Sequence, residues 1–187
     1  MIVLYVMLFG WSKFKGWAIL EFFLSGSLRI HANGLAKRLK ISVSTAQHYL
    51  VGYEKQGILE KKKTANIILY SLRETPLALE LKKAFFLSGF LPFAEQFNKQ
   101  NPFVTTLALF GSHAKGTFDE KSDIDLIAIS QEKKIMLDSL KGMEGKTGKE
   151  AKIQVFSLQE WRALVKKNDS FAIAVLKNNI LLSGAPL

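Results

Sequence analysis

Leu107-Ala108-Leu109-Phe110-Gly111-Ser112-His113-Ala114-Lys115-Gly116-Thr117-Phe118-Asp119-Glu120-Lys121-Ser122-Asp123-Ile124-Asp125-Leu126-Ile127-Ala128-Ile129 is the stretch on which the reading of this 187-residue chain turns. Thr105 to Phe110 is an apolar run that suits a buried strand. It ends in Gly111-Ser112, where glycine lets the backbone turn sharply and approach a ligand closely. A short helix is expected to open there, with its free N–H groups and the Ser112 hydroxyl facing an anion such as phosphate. Ser122 to Ile129 reads as a second strand. Its side chains alternate, so Asp123 and Asp125 point one way while Ile124 and Leu126 point into the core. Two carboxylates side by side repel each other, and they persist most naturally around a hard cation such as Mg²⁺ (or Mn²⁺).

Strand, Gly-Ser turn, helix and then Asp-x-Asp on the next strand resembles the signature of the polymerase beta superfamily, and within it the minimal nucleotidyltransferases. The residues that carry the likeness are Gly111, Ser112, Asp123 and Asp125. An Asp-x-Asp alone is common at exposed strand ends; the Gly-Ser turn after an apolar strand at this spacing makes the pattern far more specific.

The rest of the chain fits one or two domains. With 48% apolar and 22% charged residues it can build a packed core. It contains no cysteine, which excludes a disulfide framework, a zinc-thiolate site and a thiol nucleophile. His31, His48 and His113 lie far apart, show no metal-ligand spacing and read as surface or half-buried side chains. The net charge is +10. Residues 1 to 75 hold 11 Lys+Arg against 4 Asp+Glu, and residues 76 to 187 hold 15 against 12. The basic excess therefore sits in the N-terminal part and suggests a polyanionic partner there. Met1 to Phe9 is apolar but too short for a membrane span, and it lacks the basic start and cleavage site of a signal peptide. It reads as a core or dimer-contact segment. With no targeting signal, a cytoplasmic protein with no membrane partner is expected.

From Ser12 the pattern becomes helical, with Trp17, Ile19, Leu20, Phe22, Phe23 and Leu24 in a first helix ending near Gly26. Leu28 to His31 suits a short strand. Asn33 can cap a second helix over 34–40, and Ser42 a third that Gly57 stops. Ile58-Leu59-Glu60 and Ile67 to Leu72 alternate as two strands joined by Lys61-Lys62-Lys63-Thr64-Ala65-Asn66. This order resembles a winged helix-turn-helix, carried by Leu35, Ala36, Leu39, Ile41, Ala46, Leu50, Gly57, Ile58 and Leu59. The resemblance implies double-stranded DNA as partner. Ser44, Thr45, Gln47 and His48 on the outward face of the third helix would enter the major groove, and Lys61, Lys62 and Lys63 would touch phosphates. A protein-docking or dimerisation role for the same domain stays open.

Pro76 marks the expected boundary, giving a winged helix-turn-helix over 12–75 and a minimal nucleotidyltransferase domain over 76–187. The fold class is then α+β: an N-terminal winged helix-turn-helix followed by a mixed sheet with flanking helices. Helices are expected at 77–87, continuing towards Gln100, then at 132–143, 157–167 and 171–177. Ala151 to Phe156 suits a strand, and Asn178 to Leu182 an edge strand.

At one position the chain departs from the superfamily. The third carboxylate, which helps bind metal and deprotonates the attacking hydroxyl, falls by resemblance on Gln154 in Ile153-Gln154-Val155. A glutamine accepts no such proton and brings no charge to a second metal ion. Glu150 lies four residues earlier, about 13 Å along a strand. Two classes of function follow. In the first, the chain transfers a nucleotidyl group from ATP or another nucleoside triphosphate to a hydroxyl. Gly111 and Ser112 hold the triphosphate, Asp123 and Asp125 hold Mg²⁺, and Lys115 either steadies a phosphate or is a solvated surface lysine. In the second, the chain is a transcriptional regulator or antitoxin-like protein. Its degenerate transferase domain then senses a nucleotide or dimerises. The resemblance implies a HEPN-type toxin as a protein partner, and a winged helix implies a homodimer.

Overall fold

The computed structural model describes residues 14–26 and 28–187. The apolar segment Met1 to Phe9 and the expected helix start at Ser12 lie outside them. The chain forms two compact units, one running through Ser88 and the other from Gly89 to Leu187. A single helix, α4 (Pro76–Gln100), begins at Pro76 and passes through this division.

The first unit is built from α1 (Lys15–Leu24), α2 (Ala32–Leu39), α3 (Val43–Lys55), β1 (Leu59–Thr64) and β2 (Ile67–Leu72). The cap of α2 is His31 rather than Asn33. The imidazole Nδ1 accepts from Gly34 N at 2.8 Å, and Asn33 falls inside the first turn. Lys40 ends α2 in the left-handed conformation (φ 54°), which turns the chain sharply towards Ser42. Ser42 caps α3 as expected, its Oγ accepting from Thr45 N at 3.1 Å. Ile19, Phe23, Leu24, Leu35, Leu50, Leu59 and Tyr70 are buried between these elements. The strand expected at Leu28 to His31 is reduced to one bridge, Ile30 to Tyr70, with both backbone bonds made (3.0 and 2.8 Å). β1 and β2 pair antiparallel from Leu59–Leu72 to Thr64–Ile67. The hairpin loop is thus only Ala65-Asn66, and Lys61, Lys62 and Lys63 lie in β1 itself, not in a connecting loop. Two-residue loops need positive φ, and Ala65 supplies it (φ 51°). This arrangement is a winged helix-turn-helix.

The second unit is a four-stranded mixed sheet in the order β5-β4-β3-β6, with β3 (Val104–Phe110), β4 (Ile124–Ser130), β5 (Ala151–Phe156) and β6 (Ile180–Gly184). β3 runs antiparallel to β4 and β6, and β4 runs parallel to β5. α5 (Gly111–Lys115), α6 (Asp138–Thr147), α7 (Leu158–Lys166) and α8 (Ser170–Lys177) complete it. Ala108, Ile127 and Ile129 on one face form a core with Trp161 of α7 and with Ala172 and Val175 of α8. Leu107, Leu109, Ile124 and Leu126 are buried on the other face. The central strand β4 is covered on both faces from Leu126 onwards, so ionised side chains are tolerated only near its N-terminal end.

The helix expected at 132–143 begins only at Asp138. Asn101 holds the chain before it out of the helix: its Oδ1 accepts from Met136 N at 2.7 Å and its Nδ2 donates to Met136 O at 3.0 Å. That pair replaces a helical turn with a side-chain ladder. The helix runs on past residue 143 to Thr147 and closes on Gly148 in the left-handed conformation (φ 69°).

Ser157 caps α7, at the start of the helix expected over 157–167, and Glu160 completes a capping box. Glu160 Oε2 accepts from Ser157 N at 2.8 Å, and Ser157 Oγ accepts from Glu160 N at 3.2 Å. The Lys133 ammonium at 2.8 Å and the Ser157 N–H hold the Glu160 carboxyl at about 2. A depressed carboxyl contributes stability above its unfolded value that is lost as pH falls through the folded one. The melting-temperature gap between wild type and Glu160→Gln is therefore expected to be constant above about pH 5 and to close between about pH 4.5 and 2. A gap that persists unchanged at the acid end would show that the glutamine disturbs packing instead.

Candidate functional site

The turn between β3 and α5 brings the two halves of the motif together. Antiparallel pairing sets Phe110 opposite Asp125. Gly111 follows at φ 72°, and a Cβ there would run into Asp125 Oδ2, so only glycine lets the backbone pass this close to the carboxylate. Gly116 closes α5 in the same left-handed region (φ 77°). Ser112 is half-buried in the first turn of α5, while Lys115 is exposed. His113 is fully buried and stacked on Phe118 at 4.4 Å between ring centroids, contrary to the expectation of a surface or half-buried side chain. His113 and Ala114 share the buried side of the short helix, with Lys115 on the exposed side.

The loop from α5 to β4 is tied down before it delivers Asp123. Asp119 Oδ1 accepts from Lys121 N at 2.9 Å and from Ser122 Oγ at 2.8 Å. Lys149 Nζ donates to the carbonyls of Asp119 (2.6 Å) and Ser122 (3.2 Å) and stands 5.8 Å above the Phe118 ring. Burial pushes the Lys149 ammonium below its ordinary pKa while the acids around it act the other way. Asp123 and Asp125 emerge half-buried on one face. Burial, and then the neighbouring Asp123 charge, raise the Asp125 carboxyl above its ordinary value.

Parallel pairing of β4 with β5 decides the third position. Lys152 stands beside Asp125, and Gln154 beside Ile127. Gln154 is exposed on the same face as Asp125 but two residues farther along the strand, about 6.6 Å. Lys152 Nζ binds Asp123 Oδ2 at 2.6 Å, and this bond first, then the Asp123 and Glu150 charges, raise its pKa. Glu150 is exposed just before β5, and its carbonyl accepts from Ile124 N at 2.8 Å. Lys152 was not among the residues that the sequence points to; its only advance signal is parity, since it shares a strand face with Gln154.

The donor set suits one hard cation shared with phosphate oxygens. It offers two alternate carboxylates, one of which resists ionisation beside the other, and a divalent ion removes that repulsion. It does not suit a second ion, because the adjoining β5 side chains are an ammonium and an amide. No group of three or more His, Asp or Glu residues among the described residues could hold a metal ion by itself.

In the first unit Ser44, Gln47 and His48 are exposed on α3, and Thr45 is half-buried. Ser42 Oγ bonds Ser44 Oγ at 2.9 Å and Thr45 Oγ1 at 2.7 Å. His48 meets the Tyr49 ring edge to face at 5.2 Å. Lys61, Lys62 and Lys63 are exposed, and Lys61 reaches Glu54 of α3 at 3.3 Å. No helix among the described residues is long and apolar enough to cross a membrane.

Residues 92–178 match the family model of the nucleotidyltransferase domain, and the match contains α5, both aspartates and Gln154. No curated protein matches the chain. Solved structures similar to it include reduced HlyU from Vibrio cholerae N16961, with 23% identity, 41% of this chain, 75% of that one and a TM-score of 0.34. Another is a toxin-antitoxin with AMP-PNP, with 15% identity, 51% of this chain, 73% of that one and a TM-score of 0.37. A third is a mutant of Lactococcus lactis ZitR in complex with DNA, with 21% identity, 45% of this chain, 59% of that one and a TM-score of 0.33. None reaches a TM-score of 0.5, so the functional reading rests on the matched domain and on the site itself.

Proposed function

We propose, from the nucleotidyltransferase domain at residues 92–178, that this chain is a DNA-binding regulator whose transferase site binds a Mg²⁺-nucleoside triphosphate such as ATP. Residues 12–75 form the DNA-binding domain in this reading and 76–187 the transferase domain. The observation that supports it is the close packing of Asp125 on the Gly111 turn: in this reading the turn would take the phosphates and the aspartates the cation, within one ligand's reach. Asp123 and Asp125 would hold the ion, Gly111 and Ser112 the phosphates, and Lys115 would steady the chain of phosphates from the exposed side. A bound Mg²⁺ would neutralise phosphate charge and align the phosphorus for in-line attack. The basic first unit supplies the duplex-binding surface, with a homodimer as its working state and a HEPN-type toxin as the protein partner that the resemblance implies. Incubation with labelled ATP, Mg²⁺ and cell lysate tests transfer directly: label on a protein or RNA, lost in Asp123→Asn, supports the enzyme.

The β5 edge favours slow or absent transfer over brisk turnover. Neither Lys152 as an ammonium nor Gln154 can take a proton from an attacking hydroxyl. We expect nucleotide binding to survive in wild type while turnover is slow. Gln154→Glu is expected to raise single-turnover transfer with little change in nucleotide affinity, towards the about 10²–10⁴-fold typical of general base catalysis. Brisk wild-type turnover, or a Gln154→Glu variant no faster than wild type, would assign the base elsewhere, with Glu150 the nearest alternative.

A further inference from the structure

Lys152 sits at the centre of the β5 edge of the site, yet nothing in the transferase reading uses it. Its position is fixed by the strand register beside Asp125, and its Nζ lies 2.6 Å from Asp123 Oδ2. The two side chains are 54% and 37% exposed, so the pair is half in water. Such pairs are weak and exchangeable, and the four-carbon stem of lysine can swing while its Cα stays in the sheet. Asp125 is differently placed, packed against the Gly111 backbone.

Resting on the nucleotide reading above, we propose that Lys152 is a positioning residue that exchanges partners: its ammonium holds Asp123 until a divalent cation arrives with a polyphosphate, then moves to a phosphate oxygen. A divalent ion on Asp123 would stand within a few ångströms of the ammonium, and like charges in a half-buried site repel. The ammonium must therefore leave as the ion enters. The polyphosphate that brings the ion is the anion best placed to receive it. A free cation brings no such anion, so the site discriminates in favour of the cation-nucleotide complex over the cation alone.

Mn²⁺ binding to the full chain, followed by electron paramagnetic resonance and calorimetry, tests this in wild type, Lys152→Met, Lys152→Arg and the Asp123→Asn/Asp125→Asn double variant. Lys152 is exposed on an edge strand, so these variants leave the core intact. Mn²⁺ alone is expected to bind Lys152→Met about five- to tenfold more tightly than wild type. A non-hydrolysable triphosphate with Mn²⁺ is expected to bind the same variant about tenfold more weakly, as befits a lost charged hydrogen bond. Lys152→Arg should return both values towards wild type. Equal Mn²⁺ affinities in wild type and Lys152→Met, with none in the double variant, would overturn the exchange and leave the aspartate site standing. Tighter Mn²⁺ with unchanged triphosphate binding would make Lys152 a mere counter-ion and also overturn it. No Mn²⁺ or triphosphate binding in any of the four would remove the nucleotide reading and this inference together.

Discussion

Mg²⁺ with ATP at ten times its dissociation constant is expected to raise the melting temperature of the transferase unit by about 6–11 °C, and Asp123→Asn with Asp125→Asn to remove the rise. A ligand that binds only the folded state adds about 1.4 kcal/mol at that concentration, and in a unit of about 100 residues each kcal/mol moves the midpoint by about 4–8 °C. In the proposed reading the ion would bridge the aspartates and the phosphates, so removing both carboxylates gives the cleanest loss. Without ligand the double variant should stay close to wild type in stability, because the Asp123–Lys152 pair that it removes is half exposed and weak. Asp125 is already resisted by burial and by Asp123, and an amide relieves both. Scanning fluorimetry with Mg²⁺ alone, ATP with EDTA, and the two together separates the contributions. A wild-type midpoint unmoved at millimolar Mg²⁺-ATP would mean that the pair holds no nucleotide-bound ion.

Replacing Lys61, Lys62 and Lys63 with Ala is expected to weaken duplex DNA binding by about tenfold at moderate salt and to flatten its salt dependence. Each lost phosphate contact removes about 0.9 from the slope of log affinity on log salt. The structure adjusts the count. The three lysines alternate along β1, so Lys61 and Lys63 leave one face and Lys62 the other. Lys61 also spends its charge on Glu54 at 3.3 Å. A loss of about two units of slope is therefore expected rather than three, with Lys61→Ala alone giving the smallest change. Fluorescence anisotropy across a salt series reads both quantities. Unchanged affinity and slope in the triple variant would point to the wing as a protein-docking surface.

Much of the site could be read directly from adjacent residues. Gly111 and the aspartates occupy neighbouring segments, and strand alternation alone puts both carboxylates on one face. The same holds for the Ser42 and Ser157 caps, whose bonds span three residues. Local signals failed where a distant group intervened. Asn33 looked like the cap of α2, but the His31 imidazole, one turn ahead of Gly34, was better placed. Residues 132–137 carry helix-forming side chains, but Asn101 on a remote segment takes both backbone groups of Met136 and keeps the segment out of the helix.

The amino-acid sequence by itself determined the strand-turn-helix-strand unit that carries Gly111, Ser112, Asp123 and Asp125, and the helix and hairpin order of the basic unit, because period, caps and turns act over a few residues. Only the tertiary structure decided what faces the aspartates. The chain leaves β4 at Ser130 and returns at Ala151, and which β5 residue meets Asp125 depends on how that crossover packs. A slip of one residue would turn every β5 side chain to the opposite face. The register adopted brings Lys152 onto Asp123 and leaves Gln154 beside Ile127, a pairing between residues 29 apart that no local pattern encodes.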